Sequence, residues 1–197
     1  MSWNRRTTHR LAAIDAYRFP ATVRQRFATE HDTLTATDLD AIESAARQWF
    51  RLAARHPRAR TAMPSQVTDA LRRALSQQTA DYAAFCTEAF GRPYLPPPVT
   101  AHPSAGLAET LRLARQDENC GPGALPLLFR VDQQLAIPGG HRYLADCGGR
   151  GVCHDLPGTL CLMHLTGTGR LVRNRGRKET PPPTSPDAAG FGGGGGP

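Results

Sequence analysis

The chain has 197 residues, and its 24 basic side chains outnumber the 17 acidic ones to give a net charge of +7. A hydrophobic share of 40% is ordinary for a globular protein and excludes a wholly disordered chain. No run approaches the ~18–20 consecutive apolar residues of a membrane-spanning helix, and no apolar core follows the basic start as in a signal peptide. We therefore expect a cytoplasmic protein that has no membrane partner.

Arginine and cysteine usage both bear on function. Of the 24 basic residues only Lys178 is lysine, a bias typical of a GC-rich bacterial genome, so the arginine content alone indicates no function. Five cysteines is an odd number for a disulfide framework. In an intracellular chain, free thiols or a metal site are the expected uses of these cysteines.

The first predicted elements are a short helix over residues 8–18 and a long helix that begins at Thr37 as N-cap and runs to Arg55. His56 and Pro57 stop the long helix, because the residue before proline avoids the α region. The apolar residues of the long helix recur at intervals of three and four and predict one buried face: Leu39, Ile42, Ala46, Trp49, Phe50 and Ala53.

A basic stripe runs along the other side of this long helix, at Arg47, Arg51 and Arg55. Such a stripe can hold phosphates. It is equally explained by cations placed near the negative end of the helix dipole, and we favour that interpretation.

A further helical pattern starts after Ser65 as N-cap and extends over residues 66–90, with a break expected near residues 76–79. Proline-rich residues 92–104 follow and predict an extended segment, which is either an internal linker or a strap across the helices. Two more helices are indicated by Leu107, Leu111 and Ala114, and by the apolar residues after Pro126. No alternating run is long enough to predict a strand.

The predicted fold is therefore mainly α. It consists of a compact helical domain at residues 8–140, a Gly/Cys/His loop region at 141–166, and a disordered, basic, Pro/Gly-rich C-terminal tail at 167–197.

Short motifs occur in a fixed order along the helical region. They are Trp49-Phe50-Arg51, Met63-Pro64-Ser65, Asp69, Thr79, Tyr82-Ala83-Ala84-Phe85-Cys86, Gly91-Arg92, Leu125-Pro126-Leu127-Leu128-Phe129 and Asp146-Cys147-Gly148-Gly149. With the glycine tail at 192–196, this series resembles the bacterial, actinobacterial-type branch of the glycine-rich domain-containing protein-like family over about residues 20–150. The resemblance implies no particular reaction.

Two departures from the family pattern stand out. Arg72-Arg73 replace a Trp-His pair, and Pro96-Pro97 replace a His-His pair. The resemblance therefore implies a divergent copy that lacks any histidine-based site of its relatives. The residues that this chain still shares with the family are interpreted as core residues. They are Trp49, Tyr82, Phe85, Cys86 and Phe90.

One dense cluster of soft metal ligands lies in the loop region. Cys147, Cys153, Cys161 and His164 can supply a tetrahedral zinc site, with His154 as a substitute ligand. The alternative is a loosely ordered glycine-rich loop with free thiols, because no C-x2-C pair is present and only Cys161 and His164 have a short spacing.

The tail carries the sharpest charge run, formed by Arg170, Arg173, Arg175, Arg177 and Lys178. Arg175-Gly176-Arg177 is similar to short minor-groove hooks, and the run can also bind nucleic-acid phosphates. An inert, solvated tail of the same composition is the alternative.

No nucleophile elbow, phosphate-binding loop or zinc-protease motif is present. We therefore expect no catalytic residues. The sequence favours a non-catalytic helical interaction or scaffold module with an unknown protein partner. Nucleic-acid binding through the basic tail and zinc binding at the Cys147 to His164 cluster are the alternatives.

Overall fold

The computed structural model describes residues 2–93, 103–148 and 155–165. The predicted mainly α fold is confirmed. Residues 94–102 of the expected linker and residues 166–197, which include the whole of the expected tail, lie outside the described residues. The helices are α1 Ser2–Ala16, α2 Ala21–Glu30, α3 Ala36–Arg55, α4 Gln66–Ser76, α5 Thr79–Phe90, α6 Pro103–Glu118, α7 Leu127–Gln134 and α8 Leu162–Leu165, and the strands are β1 Arg142–Leu144 and β2 Thr159–Cys161.

Helix α3 is the centre of the fold and contacts α1, α4, α5, α6 and α7. Its N-cap is Thr35, so the prediction of Thr37 was wrong by two residues. Asp38 decides the position: its amide donates to Thr35 Oγ1 at 3.2 Å, and its carboxylate accepts from the amide of Thr35 at 2.8 Å. Asp40, which would complete the same reciprocal pair with Thr37, instead contacts Arg24 at 3.0 Å.

The main core surrounds α3 and includes buried residues from every helix. The predicted core residues Trp49, Tyr82, Phe85, Cys86 and Phe90 are all buried. Aromatic rings form the middle of this core. The ring of Phe85 lies 5.1 Å from that of Phe50 and 5.8 Å from that of Phe90, both edge-to-face, which is a favoured geometry for aromatic pairs.

The break near residues 76–79 is confirmed, because α4 ends at Ser76 and α5 begins at Thr79. Helix α5 ends at Phe90, and its C-cap is Gly91, whose φ of +72° is a conformation that glycine adopts without strain. Helix α2 was not predicted from the sequence. Only Val23 and Phe27 of this short helix are buried, too few to produce a clear apolar periodicity.

The arginines of the basic stripe on α3 form ion pairs and hydrogen bonds with other parts of the fold. Arg51 donates from Nε and Nη2 to the buried carboxylate of Asp117, at 3.2 and 3.0 Å, and from Nη1 to Asp15 at 3.2 Å. Arg55 also pairs with Asp117, and Arg47 donates to the carbonyl of Tyr17 at 2.9 Å. These arginines therefore fasten α3 to α1 and α6.

The two strands pair in parallel, with Arg142 opposite Thr159 and Leu144 opposite Cys161. The pairing was missed because three residues are too few to show alternation. Within the described ranges, no helix combines the length and the apolarity that crossing a membrane requires.

Candidate metal centre

Asp132, on α7, connects this helix to the start of α4 and to the residue that precedes β1. Its carboxylate is 3% exposed, and it accepts from Ser65 Oγ at 2.7 Å and from the amides of Gln66 and Val67 at 2.7 and 3.2 Å. A fourth donor is the amide of His141, at 3.0 Å, just before β1. The carboxylate thus satisfies the free amides at the start of α4 and fixes the chain that enters β1.

The side chains of His141 and Tyr143 hold β1 against the same helix end. Tyr143 Oη and His141 Nδ1 each donate to the carbonyl of Pro64 at 2.9 Å. The ring of Tyr143 packs edge-to-face on Phe129, 5.1 Å away. Burial and, secondarily, the negative charge of Asp132 raise the pKa of Tyr143, so its hydroxyl remains a donor at neutral pH.

A tight turn after β1 presents the first thiol. The carboxylate of Asp146 accepts from the amide of Gly148 at 2.7 Å, closing a turn around Cys147. Gly148 has φ +61°, a left-handed conformation that disfavours other residues. Cys147 is consequently buried, next to Leu144.

The second thiol and the imidazole come from the junction of β2 and α8. Cys161 is the last residue of β2 and lies opposite Leu144. Leu162 follows at once, is fully buried in the main core and anchors α8, which packs on α6. One helical turn then places His164 three residues after Cys161, on the same side.

The three side chains converge. Cys147 Sγ, Cys161 Sγ and a ring nitrogen of His164 all lie within 4.8 Å of one another, and Cys147 Sγ is 3.8 Å from His164 Nε2. A tetrahedral zinc ion, with Zn–S bonds of about 2.3 Å and Zn–N bonds of about 2.0–2.1 Å, holds neighbouring ligand atoms roughly 3.6–3.8 Å apart. The donor types and spacing therefore fit zinc. Both cysteines are 4% exposed, whereas His164 is exposed, so the cluster opens to solvent on the histidine side.

Of the sequence-predicted ligands, the structure brings together Cys147, Cys161 and His164. Cys153 and its substitute His154 lie outside the described residues, as do all five basic residues of the tail: Arg170, Arg173, Arg175, Arg177 and Lys178. Arg72, which together with Arg73 stands where the resembled family has a Trp-His pair, forms an ion pair with Asp69 at 2.7 Å.

Sequence reasoning missed Asp132. A signal was present, because Asp132 follows Val131 and lies one helical turn after Leu128, both of which are fully buried. A carboxylate on the buried face of a helix requires several hydrogen-bond donors nearby. The donors are the hydroxyl of Ser65 and three backbone amides, and all but the amide of His141 lie more than 60 residues away in sequence, so a sequence pattern does not reveal them.

Comparison with known proteins identifies one relationship. A family model described as UCP032817-like matches residues 9–162. The match includes Cys147, Cys161 and Asp132, and it ends two residues before His164. No curated protein and no solved structure matches the chain. Because the matched segment spans most of its length, the chain belongs to the UCP032817-like family.

Proposed function

We propose that this protein is a non-catalytic helical scaffold module whose strand pair is held by a structural zinc ion. The observation that carries the proposal is the convergence of Cys147, Cys161 and His164 within 4.8 Å. Two thiolates and one imidazole form a donor set that zinc prefers. A fourth ligand is assigned to residues 149–154, where Cys153 and His154 are the candidates.

The cluster lies beside a part of the fold that has little stability of its own, where a bound zinc ion adds stability. β1 and β2 have only three residues each, and a two-stranded pair of this size has little stability of its own. A structural zinc ion contributes folding energy directly, because its ligands are brought together only in the folded state. Zinc at this cluster ties the end of β1 to the start of α8.

The proposal includes a finer family relationship and a compartment. Placement in a bacterial, actinobacterial-type branch of glycine-rich domain-containing proteins is supported by the order of the motifs, including Trp49-Phe50-Arg51 and Met63-Pro64-Ser65. A cytoplasmic location agrees with a metal site built from thiolate ligands, since cytosolic thiols are kept reduced.

The basic tail supports a second proposal, nucleic-acid binding. Five basic side chains occur within residues 170–178, a density that favours phosphate contacts. Binding of this kind falls steeply as salt rises, and we expect it to disappear when residues 168–197 are deleted. Affinity that is independent of salt, or that survives the deletion, contradicts this second proposal.

The zinc proposal is tested by measuring the metal content of the full chain purified without chelator. We expect about one zinc per chain, as for a single four-coordinate site. Cys161→Ser should lose most of this zinc. Cys120→Ser is the matched control, because Cys120 lies two residues after the end of α6, outside the cluster. A folded wild type without zinc, or equal zinc in both variants, overturns the proposal.

A further inference from the structure

We propose that Cys147 and Cys161 are a reversible dithiol pair, and that their oxidation to a disulfide by a peroxide expels the zinc ion. The zinc-release part rests on the proposed function, whereas formation of the disulfide does not. The inference assigns the cluster a redox response in addition to its structural role.

The first argument is the proximity of the two sulfur atoms. They lie within 4.8 Å of each other, and a disulfide bond is about 2.0 Å long, so the sulfurs need to approach by at most roughly 2.8 Å. Neither cysteine is in a disulfide in the structure. The other two described cysteines, Cys86 in the core and Cys120 after α6, are not part of the cluster.

The second argument is that one partner is fixed and the other is in a turn. Cys161 is held by the strand pairing and by the buried Leu162 that follows it. Cys147 lies three residues beyond the last paired residue of β1, in the turn closed by Asp146 and Gly148. Small backbone adjustments in this turn can close the remaining distance without separating β1 from β2.

The third argument is access. Both thiols are buried, but the neighbouring His164 is exposed, and Cys147 Sγ lies 3.8 Å from its ring. A small oxidant such as hydrogen peroxide therefore reaches the sulfurs from the histidine side. A larger disulfide oxidant such as oxidised glutathione meets the surrounding Leu144 and Met163 instead.

The chemistry balances with peroxide as the oxidant. One thiolate attacks the O–O bond, forms a sulfenic acid and, with one proton, releases water. The second thiolate then attacks that sulfur, forms the S–S bond and, with a second proton, releases another water. Both Zn–S bonds are lost, and zinc leaves as Zn²⁺ with its oxidation state unchanged. Reduction by a dithiol restores both thiolates, so the ion can bind again.

The experiment uses the full chain, both zinc-loaded and metal-free, treated with hydrogen peroxide and mapped with trypsin without reduction. Trypsin separates residues 143–150, which contain Cys147, from residues 151–170, which contain both Cys153 and Cys161. We expect these two peptides to become linked. The link should persist in Cys153→Ser, disappear in Cys161→Ser and be reversed by dithiothreitol. Cys120→Ser is the control and should behave as wild type.

A chromophoric chelator measures zinc release in parallel, and we expect release to follow formation of the link. A link that disappears in Cys153→Ser, a disulfide within residues 151–170, or oxidation to sulfinic acid without a link overturns the inference. If the two peptides link in the metal-free chain but the protein never binds zinc, the proposed function and the zinc release fail while the dithiol pair stands. If zinc binds but the peptides never link, only the present inference fails.

Discussion

Asp132 on α7 accepts a hydrogen bond from Ser65, the N-cap of α4, at 2.7 Å, although 67 residues separate them along the chain. The same carboxylate accepts from two further groups at the start of α4, the amides of Gln66 and Val67, and from the amide that precedes β1. One buried side chain therefore joins the middle of the helical body to the strand pair that carries the cluster of Cys147, Cys161 and His164.

Replacing Asp132 by alanine should destabilise the protein strongly. The substitution leaves the donors on Ser65, Gln66, Val67 and His141 without this acceptor, and we expect the free energy of unfolding to fall by at least about 3 kcal/mol. Denaturant unfolding of Asp132→Ala against Asp32→Ala, the same change at an exposed position, measures the effect. Equal stability of the two variants contradicts the role assigned to Asp132.

The ion pairs of α3 should contribute different amounts to the free energy of unfolding, because some are buried and others are exposed. Asp117 is 3% exposed and faces both Arg51 and Arg55, whereas the side chain of Asp15 is 57% exposed. Asp117→Ala leaves two arginines without a buried partner, so we expect a loss of about 2 kcal/mol, against less than about 1 kcal/mol for Asp15→Ala. Thermal or denaturant unfolding of both variants tests the order, and a larger loss for Asp15→Ala refutes it.

Stability should decrease above pH 10, partly through Tyr17. Burial, followed by the nearby Asp81 and Cys86, raises the pKa of Tyr17 from 10.0 to about 12 in the folded state. Between these values the unfolded chain loses the proton while the folded chain keeps it. The contribution of Tyr17 to the free energy of unfolding is therefore fully present below pH 10 and is lost as the pH rises to about 12.

The Tyr17→Phe variant tests this coupling. The Tyr17 hydroxyl has no hydrogen-bond partner among the described residues, so the variant should match wild type at neutral pH. From pH 10 to 12, we expect the free energy of unfolding to fall less steeply in Tyr17→Phe than in wild type. The two slopes should differ by up to about 1.4 kcal/mol per pH unit. Tyr143→Phe is the contrast, because it removes the hydrogen bond to Pro64 and should lower stability already at neutral pH. An unchanged alkaline slope in Tyr17→Phe contradicts the assignment.

Removal of zinc should lower the melting temperature of the wild type. Binding to the folded state alone stabilises it by mass action, so a chelator removes that stabilisation. His164→Ala lacks one of the three described ligands, and we expect its melting temperature to change much less when chelator is added. Calorimetry with and without chelator compares the two proteins, and an identical shift in both shows that the stabilising metal lies elsewhere.

The main helices and part of the candidate site could be predicted from the sequence. The physical reason differs from residue to residue. Trp49 and Phe50 recur with the helical period on a long element, so both their burial and the helix were predictable. Cys161 and His164 are close in sequence, so one turn of helix brings them together. Cys147 joins them only through the parallel pairing of β1 with β2, which six strand residues do not encode as a pattern. The Thr35 cap was missed because its choice over Thr37 depends on contacts made by Asp38 and Asp40.

The long-range hydrogen bond between Ser65 and Asp132 also has a consequence for protein synthesis. Asp132 is synthesised 67 residues after Ser65, so the start of α4 exists in the growing chain before the acceptor for its amides. The residues of α1 to α5 are all synthesised before Asp132, the residue that joins α4 to α7 and β1. A chain that stops before residue 132 lacks this closure permanently, and we expect the cell's proteases to remove it although most of its helices are present.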